Sequence, residues 1–443
     1  MDKVTKAADS SQVTAATNPV ETGTISRDGT TVIATVNYKV AHDKLTDATK
    51  NTLQEAAQQG RDGVGWPDEC VRDPAATGSS TARNRLLAWC PGGGNIAGMP
   101  DLPAAHGHPV VDIHAHYFPS ALRPPTRVAD DPRWPFLAID EGGGAGRIMR
   151  GTEVFRRVKP ALWDMQARLA ELDAAGVGMQ VISPVPVTLS MWAEGKDAAE
   201  FLRRQNDLFA EAVSASGGRL RGLGAVPLQD VDAAITEMLR VKQELRLDGV
   251  EIGTRIGDLE LDAPVLRPFF AAAQEAGVPL FVHPTDVEHA VRRAEPMYSF
   301  GVGMLTDTAL AATALVFGGV LEEFPELRVA LAHGCGAFPW TYPRTAYGDA
   351  LLRGGPDPER TAQLNRLVGS LWADALVFDP EHLRLVAERV GADHLMLGTD
   401  HPFLTAPLET ALTTVTGAAE QNVLSESETA RVLGRNALEF LGL

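Results

Sequence analysis

The apolar run Val110-Val111-Asp112-Ile113 leads directly into His114-Ala115-His116. In a β-strand, side chains at positions i and i+2 point to the same face, so both imidazoles are expected on one side of the strand end. Imidazole nitrogen is a common ligand of zinc in proteins. The stretch therefore predicts a strand that carries two metal ligands at its end.

Three later apolar runs also end in side chains that bind metals or transfer protons. They are Leu280-Phe281-Val282-His283, Val329-Ala330-Leu331-Ala332-His333 and Leu395-Met396-Leu397-Gly398-Thr399-Asp400. Strand-like runs alternate with helical stretches over residues 110–115, 179–184, 219–227, 249–255, 279–283, 328–333, 371–378 and 394–399. These strand-plus-helix units predict a (β/α)8 TIM barrel, in which the carboxyl ends of all strands meet at one face.

The side chains at these strand ends suit a zinc site. In a barrel, one ion could be surrounded by His114, His116, His283, His333 and Asp400. A lone histidine or aspartate of this kind is more often a hydrogen-bonded core residue or a helix cap. Because several of them recur at strand ends that converge, the sequence favours a metal site over the separate structural roles.

The composition excludes several classes of partner. The chain has 443 residues, of which 44% are hydrophobic and 22% charged, and its formal net charge is -17. Nucleic acids and anionic membrane surfaces require clustered Lys and Arg, so neither is predicted as a partner. The longest apolar run, Leu310 to Leu321, is shorter than the roughly 18 residues of a membrane span. A small anionic substrate remains compatible with this charge if individual arginines bind it.

The cysteines and the amino terminus predict a cytoplasmic protein. Cys70, Cys90 and Cys335 form no CxxC pair and leave an odd count, which is typical of a reducing compartment. No apolar stretch of the kind found in secretory signals follows the start Met1-Asp2-Lys3-Val4-Thr5-Lys6.

We divide the chain into three parts. Residues 1–60 predict a small β-turn-β-α fragment, in which Val32 to Val40 alternate on one strand and Leu45 to Ala56 keep a helical stripe. Residues 61–109 are rich in Gly, Pro and Ser without a sustained period, which predicts a flexible linker. Residues 110–443 are the predicted barrel domain, and residues 117–159 are an insertion expected to lie over the active-site mouth.

The barrel residues resemble the amidohydrolase superfamily and, within it, the aminocarboxymuconate-semialdehyde decarboxylase family. The resemblance rests on Asp112-Ile113-His114-Ala115-His116, Val154-Phe155-Arg156, Phe281-Val282-His283-Pro284, His333-Gly334-Cys335-Gly336-Ala337-Phe338-Pro339, Asp374-Ala375-Leu376-Val377, Leu397-Gly398-Thr399-Asp400-His401-Pro402-Phe403 and the ending Asn436-Ala437-Leu438-Glu439-Phe440-Leu441-Gly442-Leu443. Residues 26–36 resemble part of the extramembrane domain of an actinobacterial lipid-exporter family, without that family's membrane spans.

The resemblance implies a role for each matching residue. The implied zinc ligands are His114, His116, His283 and Asp400, while His333 stays off the metal as the general base, so that His333 and Asp400 are the catalytic pair. The implied substrate-binding residues are Arg156, Arg150 at a position where the family has lysine, Arg344, Arg353 and Phe300. Without the family match, surface salt bridges would be the preferred interpretation of Arg150 and Arg156.

Arg353 lies within one residue of an arginine that this family donates across a dimer interface, which implies a homodimer. Several positions depart from the family pattern. Thr285 stands where the family has Trp, Met191 and His401 where it has Tyr, and Tyr298 and Phe300 replace a Trp that contacts substrate. These departures leave the metal chemistry in place and the substrate open.

The sequence thus predicts a zinc-dependent, non-oxidative decarboxylase of 2-amino-3-carboxymuconate 6-semialdehyde or a close analogue, which needs no organic cofactor. Two mechanisms stay open, hydration and direct protonation of the conjugated system. Another amidohydrolase-type decarboxylase, acting on a hydroxybenzoate-like acid, or a metal-dependent hydrolase is the alternative, because this fold hosts many chemistries. A catalytically silent partner protein is a further alternative, and retention of the whole metal and base set argues against it.

Overall fold

The computed structural model describes residues 108–443 except 286 and 405–407. Before them it describes Val13–Ala16, Ala34–Tyr38, Arg85–Leu86 and Ala104–Ala105. The chain divides into two compact units, Met1–Met99 and Pro100–Leu443. The second unit contains all candidate metal ligands.

In the first unit, the described strands form one antiparallel sheet with Ala34–Tyr38 between Val13–Ala16 and Arg85–Leu86. Ala34–Tyr38 lies inside the alternating run that predicts a strand. Arg85–Leu86 falls in the predicted linker. Two short strands of the second unit, Ala104–Ala105 and His108–Pro109, also fall in it and pair with each other. The predicted helix at 45–60 and exporter-like residues 26–33 lie outside the described residues, and the boundaries at 60 and 109 stay predictions.

Eight parallel strands follow one another around the second unit in chain order. They are β1 (Val111–Tyr117), β2 (Met179–Pro184), β3 (Leu220–Ala225), β4 (Gly249–Gly253), β5 (Leu280–His283), β6 (Val329–Leu331), β7 (Trp372–Asp374) and β8 (Leu395–Met396). Every residue of β1 is buried, as expected of a parallel strand that is covered on both faces. The predicted TIM barrel is confirmed.

The sheet closes where the chain after β8 meets β1. The backbone N–H of Ile113 donates to the Leu397 carbonyl at 2.9 Å, and that of His116 donates to the His401 carbonyl at 2.7 Å. Asp400 therefore lies directly beside the two histidines of β1.

Helices surround the barrel between its strands. The longer ones are Met165–Ala175, Gly195–Ala215, Val231–Gln243, Arg267–Glu275, Met304–Phe317, Phe338–Leu352, Pro358–Val368, Pro380–Val390 and Glu409–Glu420. Shorter helical segments are Thr126–Val128, Pro160–Leu162, Pro186–Leu189, Pro264–Leu266, Val287–Ala290, Pro296–Tyr298, Ser299–Gly303, Val320–Glu323, Ala332–Cys335, Ala392–His394, Glu426–Ala430, Arg431–Arg435 and Asn436–Leu441. Asp379 caps Pro380–Val390 by accepting from the N–H groups of Glu381 and His382, which stabilises the helix by about 1 kcal/mol.

The insertion after β1 folds as an antiparallel sheet. Its strands are Pro135–Ile139, Gly146–Arg150 and Glu153–Val158, and a separate two-stranded pair, Arg255–Ile256 with Leu259–Glu260, follows β4. Leu137 and Ile148 bury one face of the insertion sheet against Phe201 and Leu189. The sheet thereby presents Arg150 and Arg156 to the cavity beside the metal site, where the insertion is predicted to lie.

One helical stretch among the described residues, Pro296–Phe317, is long and apolar enough to cross a membrane, with a mean hydropathy of 1.6. This stretch begins earlier than the apolar run Leu310 to Leu321, because residues 296–309 are also mostly apolar and contain a single charged residue, Asp307. Asp307 within it is buried and accepts from the Thr254 hydroxyl at 2.7 Å and the Thr285 N–H at 3.0 Å. Core helices of barrels meet the same two criteria, so the finding is weak evidence for a membrane span.

Candidate metal centre

Four side chains converge at the carboxyl end of the barrel. His114 and His116 come from β1, His283 from the last position of β5, and Asp400 from the loop after β8, and all four are buried. One ligand atom from each lies within 4.8 Å of the ligand atoms of the others. The His116 Nε2 lies 3.2 Å from the Asp400 Oδ1 and 3.3 Å from the His114 Nε2. These four residues form a metal-binding site, and three nitrogens with one carboxylate suit zinc.

The hydrogen bonds around the three imidazoles fix which nitrogen faces inward. The Nδ1 atoms of His114, His116 and His283 lie 2.6, 2.7 and 3.0 Å from the Asp374 carboxylate, the Pro184 carbonyl and the Pro284 carbonyl, respectively. Each Nδ1 thus donates outward and each Nε2 presents its lone pair to the centre, an arrangement typical of metal-bound histidines. Two acceptor nitrogens at 3.3 Å repel each other unless a proton or a cation lies between them.

The electrostatics of the site agree with cation binding. Burial lowers the pKa of His283 well below its ordinary value, and His116 and His114 act in the same direction. Burial would raise the pKa of Asp400, but the hydrogen bond with His116 and the nearby imidazoles lower it to about 2. Burial also disfavours the charged form of His114, but Asp374 outweighs this and raises its pKa to about 9. The Asp374 carboxylate thus favours positive charge at His114, as a metal cation bound to that imidazole would supply.

His333 follows β6 and lies beside the four ligands without joining them. Its ring centroid is 5.3 Å from that of His114 and 5.4 Å from that of His283. Among the described residues, neither of its ring nitrogens has a hydrogen-bond partner. Burial and the neighbouring His114 lower the pKa of His333 to about 4. An imidazole with open nitrogens beside the ligands is placed to exchange a proton, although the lowered pKa disfavours its protonated form, and the base role of His333 stays a prediction.

The backbone at His333 is strained. His333, Gly334, Cys335 and Gly336 all have positive φ, between 57° and 63°. Side chains cost energy in this region, and such outliers persist where the surrounding structure holds them. A Cβ at Gly334 would lie 2.5 Å from Val377 Cγ1, and one at Gly336 would lie 2.3 Å from the Leu305 carbonyl oxygen. Glycine is therefore required at both positions to turn the chain and direct the imidazole inward.

Asp374 at the end of β7 holds both the metal ligand and the base. Its Oδ2 accepts from His114 Nδ1 at 2.6 Å and from the His333 N–H at 2.9 Å. Its Oδ1 accepts from the N–H groups of Gly334 at 3.0 Å and Leu376 at 3.1 Å. Asp374 lies in a stretch that matches the family, but no role is predicted for it from the sequence. Its position as a strand-end acid on β7 was the available signal.

Glu251 on β4 is a second buried carboxyl near the site, and the sequence patterns do not single it out. Burial raises its pKa to about 8, while Ser183 and the charge of His114 oppose that shift. The Ser183 hydroxyl also lies 3.3 Å from His116 Nδ1. Glu251 therefore belongs to the polar surroundings of the metal ligands.

His401, one of the departures from the family pattern, lies in a buried network and does not line the cavity. Its Nε2 is 2.9 Å from the Glu171 carboxylate and its Nδ1 is 3.3 Å from the Arg168 guanidinium. Arg168 also donates to the His116 carbonyl. The network thus supports the end of β1 from behind.

A cavity of about 1060 Å³ opens beside the ligands. Its wall includes His116, His283, Asp400, Arg150, Arg156, Met191, Trp192, Thr285 and Phe403. The Arg156 guanidinium lies 4.1 Å from the centre of the Phe403 ring and donates to the Phe403 carbonyl at 3.3 Å. Burial lowers the pKa of Arg156, and Asp400 opposes that shift. Two of the five predicted substrate-binding residues, Arg150 and Arg156, are thus in the cavity.

The other three do not line this cavity in the described part of the chain. Arg344 is exposed on helix Phe338–Leu352, and Arg353 at the end of that helix pairs with Asp349 at 3.0 Å. Phe300 is 38% exposed, with its ring 6.2 Å from that of Phe378. Their roles as substrate contacts stay predictions, and within one chain the geometry leaves them outside the site.

Comparison with known proteins agrees with this geometry. The family model described as amidohydrolase matches residues 111–443. A 2-amino-3-carboxymuconate-6-semialdehyde decarboxylase from Dictyostelium discoideum is 33% identical over 351 residues, which cover 75% of this chain and 91% of that protein. A gamma-resorcylate decarboxylase from Rhizobium radiobacter is 26% identical over 57% of this chain and 81% of that protein.

A similar fold is found in the crystal structure of 5-carboxyvanillate decarboxylase from Novosphingobium aromaticivorans with bound manganese. Its TM-score is 0.61 at 18% identity, with 77% of this chain and 100% of that chain covered. The family match spans all eight barrel strands and every candidate ligand. The chain therefore belongs to the amidohydrolase family.

Proposed function

We propose that the protein is a zinc-dependent, non-oxidative decarboxylase of 2-amino-3-carboxymuconate 6-semialdehyde or a close analogue. The relatives are decarboxylases, and this chain is a carboxy-lyase of the same family. The observation that carries the proposal is a donor set of three histidines and one aspartate beside a separate imidazole, His333, that has no hydrogen-bond partner among the described residues. That combination would hold a cation beside a proton-transfer group.

The four residues that would hold the cation are His114, His116, His283 and Asp400. The inward-facing Nε2 of His283 has no partner among the described residues, which fits a missing ligand bond. When bound, a divalent cation acts as a Lewis acid that stabilises negative charge on the substrate. Zinc is preferred for its donor set, and manganese is the competing metal because a structural neighbour binds it.

Decarboxylation breaks the bond between a substrate carbon and its leaving carboxylate. The bonding electron pair stays with the conjugated carbon, which takes up a proton after carbon dioxide has left. His333 is the group of this chain that would take up a proton and then deliver it to that carbon, because it is adjacent to the ligands and its ring nitrogens have no hydrogen-bond partner among the described residues. Arg156 would orient the substrate through a carboxylate that is retained.

The direct test is the metal content of the purified protein together with its activity on freshly generated 2-amino-3-carboxymuconate 6-semialdehyde. We expect about one zinc per chain and rapid loss of the substrate's near-ultraviolet absorbance with release of carbon dioxide. A metal-loaded protein that leaves this acid unchanged would exclude the proposed substrate.

A hydroxybenzoate-like acid is the second candidate. The observation in its favour is Thr285, which lines the cavity beside His283 at a position where the resemblance predicts Trp. A smaller side chain leaves room for a flat aromatic ring. Release of carbon dioxide from gamma-resorcylate or 5-carboxyvanillate, with none from the muconate semialdehyde, would favour this candidate.

Replacing Arg156 with alanine is expected to raise KM about 10- to 100-fold with unchanged metal content, because a hydrogen bond to a charged group contributes about 1.5–3 kcal/mol. Steady-state kinetics and metal analysis check this. The neighbouring Arg157 is exposed and outside the cavity wall, so Arg157→Ala is the matched control and should leave KM unchanged. An unchanged KM in Arg156→Ala would rule out the assigned contact.

We also propose that the protein works as a homodimer in which Arg344 and Arg353 serve the partner's cavity. Helix Phe338–Leu352 exposes Trp340 by 79%, Tyr347 by 63% and Leu351 by 63%, with Arg344 on the same helical face. Large apolar side chains that are exposed together are typical of interfaces.

Trp340→Glu is expected to convert a dimer into monomers and to lower activity at least tenfold, because a charge at the centre of an apolar interface remains unpaired. Analytical ultracentrifugation and kinetics on the same samples check both effects. Val265→Glu, at a 53% exposed apolar position on a different segment, is the control. A monomeric wild-type protein with full activity would contradict the proposal.

A further inference from the structure

The cavity wall carries more positive charge than one substrate carboxylate requires. Besides Arg150 and Arg156, it includes Arg133, Arg255, Arg292 and Arg293. This concentration occurs in a chain whose formal net charge is -17. Arg133 pairs with Asp131 at 2.6 Å, and Arg255 pairs with Asp258 at 3.1 Å, so both of these arginines are at least partly neutralised.

Arg292 and Arg293 differ from the paired arginines. They are adjacent and exposed on the loop after β5, and neither forms an ion pair with another described residue. The Arg293 guanidinium lies 5.3 Å from the centre of the Tyr298 ring. Glu288 also lines the cavity, but it forms no ion pair with either arginine. Two adjacent guanidinium groups therefore remain available to bind an anion.

The arginine pair and the metal site lie on the same part of the chain. His283, a metal ligand, ends β5, the short helix Val287–Ala290 follows it, and Arg292 and Arg293 come next. These three residues and Thr285 line the same cavity. The volume of about 1060 Å³ is slightly above the range that is typical of pockets for drug-sized ligands, roughly 300–1,000 Å³. An acid of muconate size with its carboxylates near the metal and Arg156 would leave the outer part of this space unfilled.

We propose that Arg292 and Arg293 form a second anion subsite in this cavity, and that among close analogues of 2-amino-3-carboxymuconate 6-semialdehyde it selects a longer acid with a further anionic group. Its leaving carboxylate lies at the metal and a further anionic group, of the carboxylate class, lies at the arginine pair. This inference rests on the proposed function for the leaving group, but the subsite itself is a binding property that can be measured without turnover.

The test compares two rigid probes that differ only in the distal charge, biphenyl-4-carboxylate and biphenyl-4,4′-dicarboxylate. Their affinities for the full-length, metal-loaded protein are measured by isothermal titration calorimetry. The dicarboxylate is expected to bind at least about tenfold more tightly than the monocarboxylate, and the ratio should fall with added salt. In the double variant Arg292→Ala/Arg293→Ala the ratio should fall to about one, while the affinity for the monocarboxylate is unchanged.

The chain offers a matched control in Arg203 and Arg204, which are adjacent and exposed on helix Gly195–Ala215, outside the cavity wall. Arg203→Ala/Arg204→Ala makes the same change in net charge and should preserve the ratio. Arg292→Lys/Arg293→Lys retains the charge and should preserve part of the ratio.

A ratio near one in the wild type, or a ratio that survives Arg292→Ala/Arg293→Ala, overturns the subsite. A third outcome separates the two proposals. If the wild type prefers the dicarboxylate and Arg292→Ala/Arg293→Ala does not, but the wild type releases no carbon dioxide from 2-amino-3-carboxymuconate 6-semialdehyde, the subsite is supported and the proposed function is contradicted.

Discussion

His333→Asn is expected to lower kcat by about 10²- to 10⁴-fold while the protein still binds its metal, because removing a general acid–base group costs a factor of this size. Asparagine is the substitution of choice because His333 has a φ of 57°, and asparagine tolerates the left-handed region better than most residues. The variant therefore removes proton transfer with little disturbance to the turn. Kinetics at saturating substrate and metal analysis of the same preparation check both parts of the prediction.

The control is His382→Asn, at an exposed histidine on helix Pro380–Val390, which should leave kcat unchanged. Two outcomes would contradict the assignment. A kcat within twofold of the wild type would show that proton transfer does not depend on His333. Loss of the metal together with activity would make His333 a ligand, against its separation from the ligand group.

The sequence alone predicts the barrel and the ligands because both depend on local patterns. The His114-Ala115-His116 spacing fixes two side chains on one strand face, and fold topology brings the other strand ends to them. His283 and Asp400 end apolar runs, so their positions follow once the strands are assigned. Each of these inferences needs only the strand period and the rule that parallel strands converge.

The role of Asp374 could not be predicted in the same way. It depends on the contact between the end of β7 and the strained turn after β6, where the Asp374 carboxylate accepts from the N–H groups of His333 and Gly334. Four successive residues with positive φ do not follow from a sequence in which only two of the four are glycine. Tertiary contacts determine this local conformation.

The arginines show the limit of assigning residues by position in a family pattern. Arg150 and Arg156 lie on the insertion sheet and reach the cavity, whereas Arg344 and Arg353 lie on the outer helix Phe338–Leu352. A match to a family position does not show whether a side chain reaches the cavity of its own chain. The pair Arg292 and Arg293 was missed because neither lies in a recognisable motif and their loop has no period.

Asp374→Asn is expected to weaken metal affinity about 10- to 100-fold, the usual effect of changing a residue that hydrogen-bonds a metal ligand, and also to lower kcat in metal-saturated protein. The carboxylate accepts four hydrogen bonds, two on each oxygen: His114 and the His333 N–H on Oδ2, and the N–H groups of Gly334 and Leu376 on Oδ1. An asparagine has only one oxygen. In one orientation the amide N–H groups of the asparagine face the donors at Oδ2, and in the other they face the donors at Oδ1. Either the metal ligand His114 or the N–H groups of the turn therefore lose their acceptor.

The two losses can be separated by titrating the variant with zinc and measuring kcat at saturation. A structural defect alone would lower thermal stability without changing the metal affinity. Asp248→Asn provides that comparison, because Asp248 is a buried carboxylate before β4 that pairs with Arg221, away from the metal ligands. It should lower the melting temperature and leave metal affinity intact. If Asp374→Asn behaves in the same way, Asp374 contributes to folding only. If metal affinity and saturated kcat both fall, one carboxylate positions the metal ligand His114 and the base His333 together.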